Sequence, residues 1–167
     1  RYSVGLMPSL SLTDTRYLNI RNTQVLAMGT PIFTNVDFAS KPLPTVPKEL
    51  EIIRDRLKWK GEVLLKEKFT ISNLKKERSQ SYGIVHLSTH GELKPGEFSN
   101  SFIQFWGDER LKLNDIRTLG FDNPAVELLV LSACRTAKNS KDAELGFGGL
   151  ATSAGVKSAL AGLWYVN

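Results

Sequence analysis

Cysteine is nearly absent: Cys134 is the only one in 167 residues. No intrachain disulfide can form, so a disulfide-stapled secreted domain is excluded and a reducing cytoplasm is the natural setting. Histidine is scarce as well, with His86 and His90 alone. Two histidines and one cysteine do not furnish the usual four protein ligands of a zinc site, and no metal or cofactor is expected. No apolar run approaches the ~20 residues of a membrane helix. The opening RYSVGLMPSL lacks the apolar core of a signal peptide and has no initiator Met. It ends on an uncapped apolar stretch, so a fragment truncated at both ends is expected. Basic residues exceed acidic ones, 22 to 17, for a net charge of +5. They are spread out, dense only over residues 66–78, which read as a helix with a solvated basic face. Neither a nucleic acid nor a membrane is an expected partner.

What is present is the composition of a soluble globular domain, 41% hydrophobic and 23% charged, at a length suited to one domain over residues 1–167. Strand-like and helix-like segments alternate. Residues 1–6 could form a first strand, and QVLAMG at 24–29 is a better one. Residues 30–47 hold four of the seven prolines and no helical period, which predicts a loop. Pro47 stands where a helix would begin, with Leu50, Ile53 and Leu57 at helical spacing behind it. EVLLKE at 62–67 predicts a short strand, and Thr70 caps a helix reaching roughly to Gln80. GIVHLST at 83–89 is strand-like. SFIQFWG and ERLKL suggest a hairpin turning at Gly107-Asp108, followed by a short helix from Asn114 or Asp115. ELLVLSA at 127–133 reads as a central strand, followed by a polar loop. LGFGGLATSAGV predicts a helix rich in small residues, and residues 158–166 a last strand. Such alternation with continuous apolar strands predicts an α/β fold, a mostly parallel sheet covered by helices on both faces.

Two of the expected strands finish in reactive side chains. GIVHLST runs into His90 and ELLVLSA into Cys134. Open parallel sheets carry their sites outside the carboxyl ends of the strands. If these two strands are neighbours, ~4.8 Å apart, an imidazole and a thiol start close together. The imidazole can take the thiol proton and later protonate a leaving amine. Gly91 leaves its backbone N–H open to close approach. With the N–H of Cys134 it could form an oxyanion hole. His86 lies four positions before His90, ~13 Å away along a regular strand. It is expected to be a packed, hydrogen-bonded core residue, not a metal partner of His90. Read alone, Cys134 would more often be a small buried hydrophobe, and it is the two strand-end positions together that favour a site. Arg135 either lowers the thiol pKa or points to solvent. Asp142 and Glu144, in the following loop, could meet a Lys or Arg side chain of a substrate or be simply solvated. Trp164 could line a pocket or fill the core. The glycines near residue 148 lack the lysine and spacing of a nucleotide P-loop. Close helix–sheet packing is the expected role of Gly146, Gly148 and Gly149, and a nucleotide-binding α/β protein is a distant rival.

HLSTHGE, LLVLSACRTA, LGFGGLATSAGVKSALAGLW and the opening MPSL together resemble the CHAT domain. This family stands beside the caspases, separases and gingipains among caspase-fold cysteine peptidases. The resemblance runs from about Val4 to the end. It implies a caspase-like three-layer fold and a cysteine endopeptidase acting on a protein or peptide through a thioester. In that pattern Cys134 is the nucleophile, His90 the base and acid, and the Gly91 and Cys134 N–H groups the oxyanion donors. It further implies a bacterial protein with regulatory domains, possibly tetratricopeptide repeats, elsewhere in a longer chain. Asn167 stands where many members have aspartate. The alternative is a catalytically silent CHAT scaffold.

Overall fold

The computed structural model describes residues 20–56, 60–94, 98–136, 149 and 151–161. The possible first strand at residues 1–6 lies outside them. In chain order come β1 (Gln24–Gly29), α1 (Val46–Glu51), β2 (Gly61–Leu65), α2 (Ile71–Glu77), β3 (Tyr82–Leu93), β4 (Phe102–Gln104), β5 (Arg110–Lys112), β6 (Leu128–Thr136) and β7 (Ser158–Ala161). The chain is a mixed α/β protein, with a seven-stranded sheet among the described residues. β2, β1, β3, β6 and β7 pair in parallel, in that spatial order. The end of β3 pairs antiparallel with β4, and β4 with β5.

Alternation along the strands divides the core in two. Val25, Ala27 and Ile84 face one way and meet Val46, Leu50 and Ile53 from α1 and the π-helical turn behind it. Leu26, Met28, Val85, Leu87, Leu129 and Leu131 face the other way. They pack on Phe69, Leu74 of α2 and a 3-10 helix, Leu113–Leu119. Pro47 sits in the first turn of α1, where its missing N–H costs nothing. Gly29 allows that turn to lie close to the sheet. A Cβ there would stand 2.4 Å from the Ser88 carbonyl oxygen and 2.9 Å from a Val46 methyl.

α2 begins as expected: the Thr70 hydroxyl accepts from the Asn73 N–H at 3.1 Å, a side-chain N-cap. The helix ends at Glu77, short of Gln80, and Arg78 turns inward instead of facing solvent. This corrects the reading of residues 66–78 as a wholly solvated basic face. Arg78 is only 4% exposed. Its Nη2 donates to the Gly120 carbonyl at 2.9 Å and to that of Pro124, and its guanidinium lies 5.2 Å from the Phe121 ring. It thereby clasps the turn that feeds β6. The hairpin turn falls at Gly107, with φ of +66°, a conformation that favours glycine.

Two further expectations change. β3 does not stop before His90. β1 ends opposite Ser88, and the vacated side of β3 is taken up by β4, opposite Gly91 and Glu92. The strand therefore continues to Leu93, and β6 likewise continues through Cys134 to Thr136. Gly149 is exposed, and among the described residues a Cβ on it would meet nothing within 4 Å, so it does not pack tightly against the described strands. Gly146 and Gly148 lie outside the described residues.

Candidate active site

β3 and β6 are adjacent and parallel, and His90 and Cys134 are Cα partners in their register. One rung of the sheet thus carries both positions, ~4.8 Å apart between strands. Two rungs below it, and so on the same face, Ser88 pairs with Ser132. On the face shared with α1, β3 reads Ile84, His86, Ser88, His90. The face turns from apolar to polar toward the carboxyl ends of the strands.

The imidazole of His90 is held by residues 30–45, which cross over it. It stacks on Phe38, with centroids 4.7 Å apart and planes 16° from parallel, and meets Phe33 at 4.5 Å. Its Nε2 lies 2.7 Å from the Lys41 carbonyl oxygen. A carbonyl can only accept, so Nε2 carries the proton and Nδ1 is the basic nitrogen of the neutral ring. The side chain is 6% exposed. The covering loop is itself anchored to the hairpin. Asn35 donates from Nδ2 to the Gly107 carbonyl at 3.0 Å and accepts from the Phe38 N–H at 3.1 Å. Asp37 pairs with Arg110, whose guanidinium lies 4.4 Å from the Phe102 ring. Gln104 locks the hairpin from within by donating to the Phe105, Gly107 and Glu109 carbonyls at 2.9 to 3.0 Å.

Gly91 is buried opposite Ile103. A Cβ on it would stand 3.3 Å from the Phe102 carbonyl oxygen and 3.7 Å from the Ala133 methyl. The glycine thus suits a position where two strands crowd it.

His86 is a hydrogen-bonded residue of the strand, as expected. Its Nε2 lies 2.8 Å from Glu49 Oε1 and 3.1 Å from Ser88 Oγ. A serine, a histidine and a carboxylate meet here, but one ring nitrogen faces both partners. A hydrolytic triad needs the two nitrogens to divide those roles, so this group is not one. Burial pushes the Glu49 carboxyl up. Hydrogen bonds from His86, Ser88 and Ser132 and the His86 charge outweigh it and hold the group below the ordinary glutamate range.

The structure thus brings together His90, Gly91 and the backbone of Cys134. Asp142, Glu144 and Trp164 lie outside the described residues, as does the side chain of Arg135. Sequence reasoning missed Phe33, Phe38, the Lys41 carbonyl and Glu49. The small polar residues two places before His90 and Cys134 were the only local signal of a polar face. Among the described residues no cluster of three His, Cys, Asp or Glu side chains could hold a metal ion, and no helix is long and apolar enough to cross a membrane.

These features define an α/β protein that sets a histidine and a cysteine on one rung toward the carboxyl ends of parallel strands. The model of the CHAT domain family matches residues 1–167, and the chain belongs to that family, which is related to the caspase-like cysteine peptidases. No curated protein matches the chain.

Proposed function

We propose that this chain is a caspase-like cysteine endopeptidase domain, with the helices and sheet in the three-layer caspase arrangement. The observation that carries the reading is the pairing of His90 with Cys134 across adjacent parallel strands. In the first step His90 Nδ1 takes the Cys134 proton, and the sulfur attacks the scissile carbonyl. The Gly91 and Cys134 N–H groups receive the oxyanion. The carbon–nitrogen bond then breaks, the amine leaves with the proton held by His90, and a thioester remains. Water attacks the thioester and gives a proton to His90, which returns it to the sulfur as the carboxylic acid departs. Lys41 plays the orienting part by fixing the tautomer. The substrate is a protein or peptide, the compartment is a reducing cytoplasm, and other domains of a longer chain control access.

The burial of His90 beneath Phe33 and Phe38 favours a second reading, a CHAT scaffold that binds without turnover. Hydrolysis of a diverse peptide library by the protein and by its Cys134→Ala and His90→Ala forms separates the two. Cleavage lost in both variants is the expected result. Cleavage that survives Cys134→Ala overturns the dyad.

A further inference from the structure

Residues 30–45 join β1 to α1 and form no strand or α-helix. Backbone bonds from the Ala39 N–H to Asn35, the Lys41 N–H to Phe38 and the Leu43 N–H to Pro31 set the shape of this segment. Its contacts with the β4–β5 hairpin set its place over the sheet. That place matters to His90. The sheet fixes the Cα of His90, but the second side-chain torsion of a histidine has broad wells. The plane of the ring is therefore chosen by Phe38, which stacks on it, and by the Lys41 carbonyl, which accepts from Nε2. Both belong to the covering segment. Arg110 of β5 meets that arrangement at two points. Its Nη2 donates to the carboxylate of Asp37, the residue before Phe38. Its guanidinium lies 4.4 Å from the Phe102 ring, which meets Phe38 edge-on with centroids 6.3 Å apart. Its Nε donates to Gln104 Oε1 at 3.1 Å, so the guanidinium is itself held from the hairpin. His90, Phe38, Phe102 and Arg110 thus form one row of adjoining planar groups, from a buried imidazole to an exposed guanidinium.

We propose that Arg110 is a positioning residue for the His90 imidazole, acting through Asp37, Phe102 and Phe38. The use made of the ring rests on the dyad reading; the orientation of the ring does not. With side chains 37% and 55% exposed, the Arg110–Asp37 pair adds little to overall stability. It has only to hold Phe38 in one place, and the contact with the Phe102 face adds to the pair without competing with it. Arginine suits this position because a planar, forked cation can pair with a carboxylate, donate from Nε and stack by its face at once. Lysine would keep the charge but lacks the fork and the plane.

The scarcity of histidine makes the test direct, since His86 and His90 are the only imidazoles. The Cys134→Ala protein is prepared with isotopically labelled histidines, and its ring resonances are read by NMR well above the ordinary histidine pKa of ~6.5. His90 is expected to stand as the Nε2–H tautomer. Adding Arg110→Gln is expected to lower its ratio of Nε2–H to Nδ1–H forms roughly tenfold, the combined effect of an exposed ion pair and a cation–π contact. The His90 ring protons move with it toward the values of an unstacked imidazole. His86, held at 2.8 Å by Glu49, is expected to keep its resonances, and Arg110→Lys to give a His90 shift between the two. Unmoved His90 resonances overturn the proposal. Equal movement of both histidines overturns it too and makes Arg110 a residue of general stability. The second measurement is peptide hydrolysis with Cys134 intact. Arg110→Gln is expected to lower kcat roughly tenfold and to leave KM within about threefold, because orientation counts in the chemical step. A raised KM at unchanged kcat overturns the positioning role. Absence of hydrolysis by the parent overturns the dyad instead, and the imidazole resonances alone then decide the role of Arg110.

Discussion

The Nε2 of His90 donates to the carbonyl oxygen of Lys41 across 2.7 Å, so the imidazole takes its orientation from the covering loop and only its position from the sheet. Phe38 completes the hold by stacking on the ring. Replacing Phe38 with leucine keeps bulk but removes the stack. The expected result is a fall in kcat of about tenfold, because misorientation of a catalytic group is costly, with a stability loss of about 1–2 kcal/mol. Peptide turnover and urea unfolding of the same variant check both. An unchanged kcat would show that the stack does not orient the ring.

Gly29 is the contact point between α1 and the sheet. A methyl group there would press on the Ser88 carbonyl oxygen and the Val46 side chain at 2.4 and 2.9 Å, and the carbonyl belongs to backbone that cannot swing aside. Gly29→Ala is expected to destabilise the protein by about 1–3 kcal/mol, the usual cost of overpacking. The midpoint of urea unfolding measures it.

Arg78 clasps the Gly120 and Pro124 carbonyls through one Nη2. Arg78→Met retains much of the stem but no donor. It is expected to cost about 2–4 kcal/mol, since charged hydrogen bonds are lost and buried carbonyls are stranded. If the variant unfolds at the same denaturant concentration as the parent, the clasp contributes nothing.

Stability is expected to decline at both ends of the pH scale through identifiable groups. Burial, then the charges of Glu77 and Glu62 and the hydrogen bond to Glu77, pushes the Tyr82 hydroxyl up to about 12. Its neutral form is the one that folding favours. That contribution is whole below the ordinary tyrosine value of ~10 and is lost as pH rises through about 12. Glu49 behaves in the opposite sense. Although burial pushes it up, its donors hold it below the ordinary range. Its contribution is whole above the ordinary glutamate value of ~4.3 and is lost as pH falls through its lower folded value. Tyr82→Phe is expected to flatten the alkaline limb of a stability profile, and Glu49→Gln the acidic limb. Urea unfolding across pH measures each. A limb of unchanged slope rules out its assigned group.

Much of the architecture could be read from local pattern. Thr70 announced its helix because a hydroxyl before a helical stretch has a backbone donor to satisfy. Gly107-Asp108 announced the hairpin because few residues tolerate its turn. The rung of His90 and Cys134 followed from two apolar runs ending in reactive residues, since adjacent parallel strands bring their ends together. The strand ends were misjudged because pairing, not side-chain type, decides where a strand stops. His90 and Gly91 look like loop residues until β4 is known to lie beside them. The cover over His90 was hidden for a related reason. Phe33, Phe38 and Lys41 reach it only because Asn35 and Asp37 bind the hairpin some seventy residues away. Glu49 carries no signature at all, being one polar residue in the first turns of an amphipathic helix.

The two parts of the site answer to different free energies. The rung of His90 and Cys134 belongs to the central parallel pairing of β3 with β6, whose amide protons are expected to exchange only when most of the domain opens. Residues 30–45 are held by the Phe33 and Phe38 packing on His90 and by a few side-chain bonds to the hairpin turn, and are expected to open at lower cost. The reactive positions are therefore expected to keep their spacing through any opening that bares the imidazole. In hydrogen-exchange terms, the spacing of the pair is a property of the whole domain, while access to it is a property of one loop.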